Sequence, residues 1–382
     1  MMKNELLNKF VKLVTASMVA IMLIGTSVYA STKDTTPMNG WRYVNKKANY
    51  QVKSTSEKYK RIWSVATKEW TDKGFKWTKK DSSKTTVSTY EDDSESGLII
   101  AGYCTTKYSP SDGHIKKNKV MLNRAALNKY DYTDSEIVNV AEHELGHALG
   151  LAHNNVGSVS VMNPANRFYG IQNCDVKGME KRYSTEISSD VVGGEEIITV
   201  TEYFKVDIPE IKSVHVKYNA KKIFITGKAE RCKYVTGNYD GKNKTVKVKS
   251  NGFKLVFDYT KEKDIEIIGL NSKKEKISGT KTIKPCKYIT EIPVCNEAQH
   301  GDDGMEYSVQ TAANSTLIFK YKGKTVKEFA VDSSSMNITI KESELKGKTG
   351  NFVVIQRENG KKSSKKVKFP ILKKGEAMKI SY

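Results

Sequence analysis

Three imidazoles fall within eleven residues of this chain, in the run His143-Glu144-Leu145-Gly146-His147-Ala148-Leu149-Gly150-Leu151-Ala152-His153. His143 and His147 are four residues apart, so on a helix both leave one face and can grip a single metal ion. Glu144 is adjacent to the first of them and can reach a water held on that metal. Gly150 permits the sharp turn that returns His153 from outside the helix as a third ligand. Three neutral nitrogens and one open position is the coordination of a catalytic Zn2+ ion, whereas a structural zinc is closed by four ligands. The chemistry available to such a site is attack by an activated water, with Glu144 moving its proton.

A helix must carry the first two histidines, and the sequence announces one. Thr133-Asp134-Ser135-Glu136 has the capping-box spacing. The helix should run through Ile137, Val140 and Ala141 to Leu149 and stop at Gly150. Upstream, Tyr59, Trp63, Ala66 and Trp70 recur at helical spacing, one face of an amphipathic helix. Strand-like runs follow at Thr85–Tyr90, Leu98–Cys104 and Val120–Asn123. This half of the chain reads as α+β.

The extended motif, with glycine seven residues and histidine ten residues after His143, resembles that of the metzincin metalloproteases. That family also has a methionine-containing turn beneath its metal, and Ser160-Val161-Met162-Asn163-Pro164 follows His153. Within the family the sequence is most similar to the matrixins. Asp175-Val176-Lys177-Gly178-Met179 and Tyr183 resemble the start of their last catalytic helix, and the likeness spans roughly residues 40–190. It implies a secreted zinc endopeptidase with a zincin/metzincin fold, zinc on His143, His147 and His153, and Glu144 as general base. Leu98–Cys104 resembles the edge strand along which matrixins lay an extended peptide. The stretch Asn163–Tyr169 would then shape the pocket beyond the scissile bond. Departures from the family are visible. Pro164 stands where astacins and serralysins place a tyrosine, and Tyr169 reads as a pocket wall or packing residue. The matrixin pro-segment with its inhibitory cysteine is missing, since the first cysteine is Cys104. Glu91-Asp92-Asp93-Ser94-Glu95 is the one candidate for Ca2+, but it lacks a spaced oxygen-ligand loop and reads first as a solvated acidic turn.

The remainder of the chain is built differently. Of 382 residues, 64 are Lys or Arg and 43 Asp or Glu, a net charge of +21. Residues 211–290 carry +13 and residues 321–382 carry +9, so the rest of the chain is near neutral. In the basic half, Val214–Tyr218, Lys222–Ile225, Thr245–Lys249 and Phe253–Phe257 alternate apolar residues with Lys or Thr, the pattern of half-buried strands. Thr245-Val246-Lys247 recurs as Thr325-Val326-Lys327, and Asn271-Ser272-Lys273-Lys274 resembles Asn359-Gly360-Lys361-Lys362. Repeats of 80–90 residues suit small β-sandwiches, and these segments resemble bacterial Ig-like modules. At the N-terminus, Lys3, Lys9 and Lys12 precede an uncharged Leu13–Gly25 and then Ser27-Val28-Tyr29-Ala30, the three-part pattern of a secretory signal peptide.

The expected organisation is a signal peptide at 1–30, a catalytic domain at 31–195, and β-sandwich modules at 205–290 and 291–382. No transmembrane anchor is expected. The partners are a protein or peptide substrate and, through the lysines, an anionic cell-wall or surface polymer; secretion argues against nucleic acid. Two other classes compete: a surface-binding or adhesive protein using the fold as scaffold, and a zinc hydrolase of a non-peptide amide such as a cell-wall cross-link. The scaffold has no need of Glu144. Five cysteines, at 104, 174, 232, 286 and 295, leave at least one unpaired within the chain.

Overall fold

The computed structural model describes residues 32–165, 167–184 and 197–379. The expected signal peptide and the expected boundary near residue 195 lie outside the described residues. The chain divides into two compact units, one reaching Asp207 and the other built chiefly from Ile208 onward.

The first unit is a mixed sheet with helices. Its strands are β1 (Lys47–Val52), β2 (Lys76–Lys79), β3 (Thr85–Tyr90), β4 (Ile100–Tyr108), β5 (Ile115–Asn123) and β6 (Ile198–Lys205). Their order across the sheet is β2-β1-β3-β5-β4-β6. The first four of that order run parallel, and β4 runs antiparallel to both of its neighbours. Helix α1 (Glu57–Asp72) buries Tyr59, Trp63, Ala66 and Trp70, the stripe that its spacing predicted, together with Ile62 and Thr67. A short helix α2 (Arg124–Lys129) precedes α3 (Asp134–Ala148), and α4 (Asn173–Ser184) closes the described part of this segment.

Helix α3 begins as the sequence required. Thr133 accepts from the Glu136 N–H while Glu136 accepts from the Thr133 N–H, so two of the helix's orphan donors are satisfied. Its residues from Val140 to Ala148 are buried throughout, flat against the sheet. Trp70 of α1 donates its indole N–H to the Glu142 carbonyl at 2.8 Å, which fixes the two helices against each other. At the other end Gly150 has φ +106°, and a Cβ there would meet the Trp41 carbonyl at 2.4 Å. Only glycine turns the chain there without strain.

One expectation is corrected. Leu98 lies in a single 3-10 turn, Gly97–Ile99, and the strand starts at Ile100. Nor is that strand an edge. β6 pairs along it from Tyr108↔Ile198 to Ile100↔Lys205. Thr105 and Thr201 are hydrogen-bonded across the pair at 2.9 Å, and Tyr90, Tyr103 and Tyr203 form a row of ring contacts over it. Local patterning could not reveal this, because β6 is more than 90 residues away and only Phe204 in it is buried.

The second unit is all β, and its two halves repeat strand for strand. The first half comprises β7 (Glu210–Asn219), β8 (Lys222–Glu230), β9 (Tyr234–Tyr239), β10 (Lys242–Lys247), β11 (Gly252–Asp258), β12 (Ile265–Leu270) and β13 (Lys281–Ile283). They form sheets ordered β10-β9-β12-β13 and β11-β8-β7. The second half comprises β14 (Val294–His300), β15 (Gly304–Gln310), β16 (Ser315–Tyr321), β17 (Lys324–Val331), β18 (Ser335–Lys341), β19 (Gly350–Glu358), β20 (Val367–Ile371) and β21 (Ala377–Lys379). Its sheets run β17-β16-β19-β20 and β18-β15-β14-β21. Shifting every label of the first half by seven reproduces this order, with β21 added at one edge. The repeated Thr-Val-Lys falls on corresponding strands, β10 and β17, but two residues out of step from the hairpin turn, whereas Asn271 and Asn359 each directly follow the corresponding strands β12 and β19. Tyr307, Phe319, Phe352 and Phe369 from the two sheets of the second half share one buried core. That is how two amphipathic sheets cover their apolar faces. All five cysteines are free thiols.

Candidate metal centre

His143 and His147 project from α3, and the turn at Gly150 returns His153 beside them. The Nε2 atoms of His143 and His147 are 3.0 Å apart, and those of His147 and His153 are 3.1 Å apart. All three ligand nitrogens lie within 4.8 Å of one another, the only such group among the described residues. Two nitrogens bound at about 2.0–2.1 Å to a tetrahedral zinc are about 3.3 Å apart, so the set fits a zinc ion with little adjustment.

The backbone sets the tautomers. His143 Nδ1 lies 2.6 Å from the Val161 carbonyl and His147 Nδ1 lies 2.9 Å from the Leu151 carbonyl. Each ring therefore donates its Nδ1–H to protein and turns the Nε2 lone pair to the shared centre. Burial pushes His143 and His147 well below the ordinary imidazole pKa. It brings His153 down to about 4, assisted by the charge of Lys205. Neutral rings are what a metal requires.

Glu144 is fully buried, and neither of its carboxylate oxygens makes a hydrogen bond of full geometry. Burial raises its pKa well above the ordinary carboxylate range, opposed by the approaching backbone N–H of Phe204. The strand above it has made room. An ideal Cβ on Gly102 of β4 would lie 2.8 Å from Glu144 Oε1. A buried carboxyl without partners costs stability, and such groups mark sites with work to perform.

Beneath the histidines lies Met162, fully buried. Its turn is held by Asp175 on α4, a residue that the sequence marked only as part of a helix start. Asp175 accepts from the Thr36 hydroxyl and the Ser160 hydroxyl, both at 2.6 Å. It also accepts from the Val161 N–H at 2.9 Å and the Gln172 N–H at 3.0 Å. Val161 is the residue whose carbonyl orients His143, so the carboxylate acts on the metal ligand through one residue of backbone. The stretch after the turn is tied to α3: Asn139 donates to the Arg167 carbonyl at 2.8 Å, and the Arg167 guanidinium lies 4.1 Å over the Tyr132 ring. Tyr169 is half-buried. The acidic run near residue 91 gathers no such set of ligands. Glu91 pairs with Arg124, and Asp92 accepts from Ser94.

Comparison with known proteins agrees with the site. Residues 40–184 match the family model described as Matrixin, and that segment is a matrixin-like metzincin domain. The family is zinc-dependent, and the matched segment contains the histidines, the methionine turn and α4. No curated protein matches the chain. Among solved structures, similarity extends to a glycosyl hydrolase family 2 member from Bacteroides cellulosilyticus, at 11% identity and TM-score 0.20, covering 44% of this chain and 29% of that one. A biofilm-associated protein BSP domain aligns at 14% identity and TM-score 0.17, covering 42% and 29%. The human OSCAR ligand-binding domain aligns at 8% identity and TM-score 0.25, covering 42% and 97%. The chain thus spans under a third of the first two, and scores this low define neither fold nor function.

Proposed function

We propose that the matrixin-like domain is a zinc endopeptidase and that the protein is secreted, with residues 1–30 as its leader and the Ig-like basic modules as accessory domains. The observation that carries the reading is the convergence of three neutral, oriented imidazoles beside the buried, unpartnered carboxyl of Glu144. Zinc bound there supplies a Lewis acid for the scissile carbonyl and a water acidified to a pKa of about 7. Glu144 takes the water's proton on a carboxylate oxygen and returns it to the leaving amine. Burial beneath Gly102 keeps solvent from competing for that proton.

The test is hydrolysis of denatured proteins and a peptide library by the purified chain, with chelator and with zinc restored. Cleavage of internal peptide bonds that chelation abolishes and zinc restores is expected. Zinc-dependent cleavage of a cell-wall amide alone would replace the peptide substrate. Binding without any cleavage, both by the wild-type chain and by chains with a weakened β6, would leave the domain a scaffold.

A further inference from the structure

The outer edge of β4 runs directly above the metal centre, and the chain itself covers it. β6 pairs antiparallel along β4, with Gly102 opposite Phe204 and Tyr103 opposite Tyr203. At the end nearest the histidines the segment is gripped from both sides. The Lys205 N–H donates to the Pro164 carbonyl at 3.0 Å, two residues beyond Met162, and the Val206 N–H donates to the Ile99 carbonyl at 3.0 Å. Phe204 is 1% exposed. Its ring stands edge-on to His143, 4.8 Å between centroids, and its backbone N–H faces Glu144. An extended backbone, paired along one edge, clamped on the other and aligned over the general base, is laid as a peptide substrate would be.

We propose that β6 is an internal occupant of the substrate groove, so that the domain is self-occluded until Ile198–Lys205 leaves β4. The inference rests on the endopeptidase reading above. The strand is suited to leaving. Apart from Phe204, its side chains are exposed or half-buried, and it sits at the sheet's end, where no further strand holds it. Its hold on β4 rests on ladder hydrogen bonds, the clamp at Lys205 and Val206, the Thr105–Thr201 and Tyr103–Tyr203 contacts, and one buried aromatic anchor. Substrate must compete with a tethered segment at high effective concentration, and the observed affinity falls by the fraction of molecules in which β6 is detached.

The experiment uses the full-length chain, zinc-loaded, as wild type and as the variants Phe204→Ala and Thr201→Pro. The first removes the buried anchor; the second breaks the strand backbone. Amide hydrogen exchange reports whether residues 198–205 detach and whether the rest of the sheet stays folded. Hydrolysis of a short peptide should rise roughly tenfold or more in both variants. A synthetic peptide of the sequence of residues 198–207, added in trans, should bind the variants, restore exchange protection to β4 and lower their activity. Variants whose β6 has detached but whose hydrolysis rate equals the wild type's would overturn the proposal. If no form hydrolyses anything, the endopeptidase reading fails. The occlusion is then decided by the trans peptide, and its failure to protect β4 in either variant would reject it.

Discussion

The sulfur of Met162 occupies the space that a side chain on Gly146 would need. An ideal Cβ at Gly146 would lie 2.3 Å from Sδ and 3.3 Å from the Met162 methyl. Gly146 immediately precedes the ligand His147, so the helix can seat the thioether under its metal-binding face only if that position is bare. Gly146→Ala should destabilise the protein by about 1–3 kcal/mol through overpacking. It should also weaken zinc binding, because the helix must shift relative to the methionine turn. Denaturant unfolding and a zinc titration check this, and wild-type values in both would show that the thioether moves aside freely.

Asp175 makes a second prediction possible. Asp175→Ala leaves two hydroxyls and two backbone N–H groups without their buried acceptor. Because these are bonds to a charged group, the loss should be about 3 kcal/mol or more, and Asp175→Asn should recover part of it. Zinc affinity should fall alongside stability, since the Val161 carbonyl that orients His143 belongs to the same turn. Unchanged zinc affinity in a destabilised variant would mean that the carboxylate holds only the fold.

The pH dependence of zinc retention follows from the burial of the imidazoles. Solvated imidazoles protonate at about 6.5, and protons begin to compete with a bound metal below that pH. Here burial holds His143 and His147 well below that and His153 at about 4. Protons therefore compete late. Zinc should remain bound through mild acidification and be lost as the pH approaches about 4. Metal content after dialysis at a series of pH values measures this. Release centred at pH 6.5 would mean that the rings are solvated as if exposed.

The basic unit carries its own prediction. If its lysines are a targeting surface, the protein should bind anionic cell-wall polymer, and binding should weaken steeply with salt as exposed charges are screened. A pull-down across a salt series tests it. Weak, salt-insensitive binding would make the lysines a solvated face.

Much of this could be read from the sequence, where the information is local. The capping box at Thr133, the histidine spacing and the turn at Gly150 depend on residues within one or two helical turns, and backbone geometry translates such spacing directly into structure. The strand repeat was partly legible as well, because Asn271 and Asn359 directly follow corresponding strands, while Thr245 and Thr325 share corresponding strands two residues out of step. What escaped was non-local. Nothing near Asp175 says that its oxygens will meet Thr36 and Ser160. Nothing in Thr199-Val200-Thr201-Glu202-Tyr203-Phe204 says that it will lie on β4, since pairing there is decided by an edge formed almost 100 residues earlier.

The central claim is that Glu144 moves the proton while the histidines hold the metal, and paired substitutions test it most directly. Zinc content and peptide hydrolysis are measured together on wild type, Glu144→Ala and His147→Ala, each also with β6 weakened by Phe204→Ala. Glu144→Ala should keep its zinc and lose about 100-fold or more of its turnover, because it removes the base and no ligand. His147→Ala should lose both. A Glu144→Ala protein that cleaves peptides at the wild-type rate, or a His147→Ala protein that keeps zinc and activity, would contradict the account.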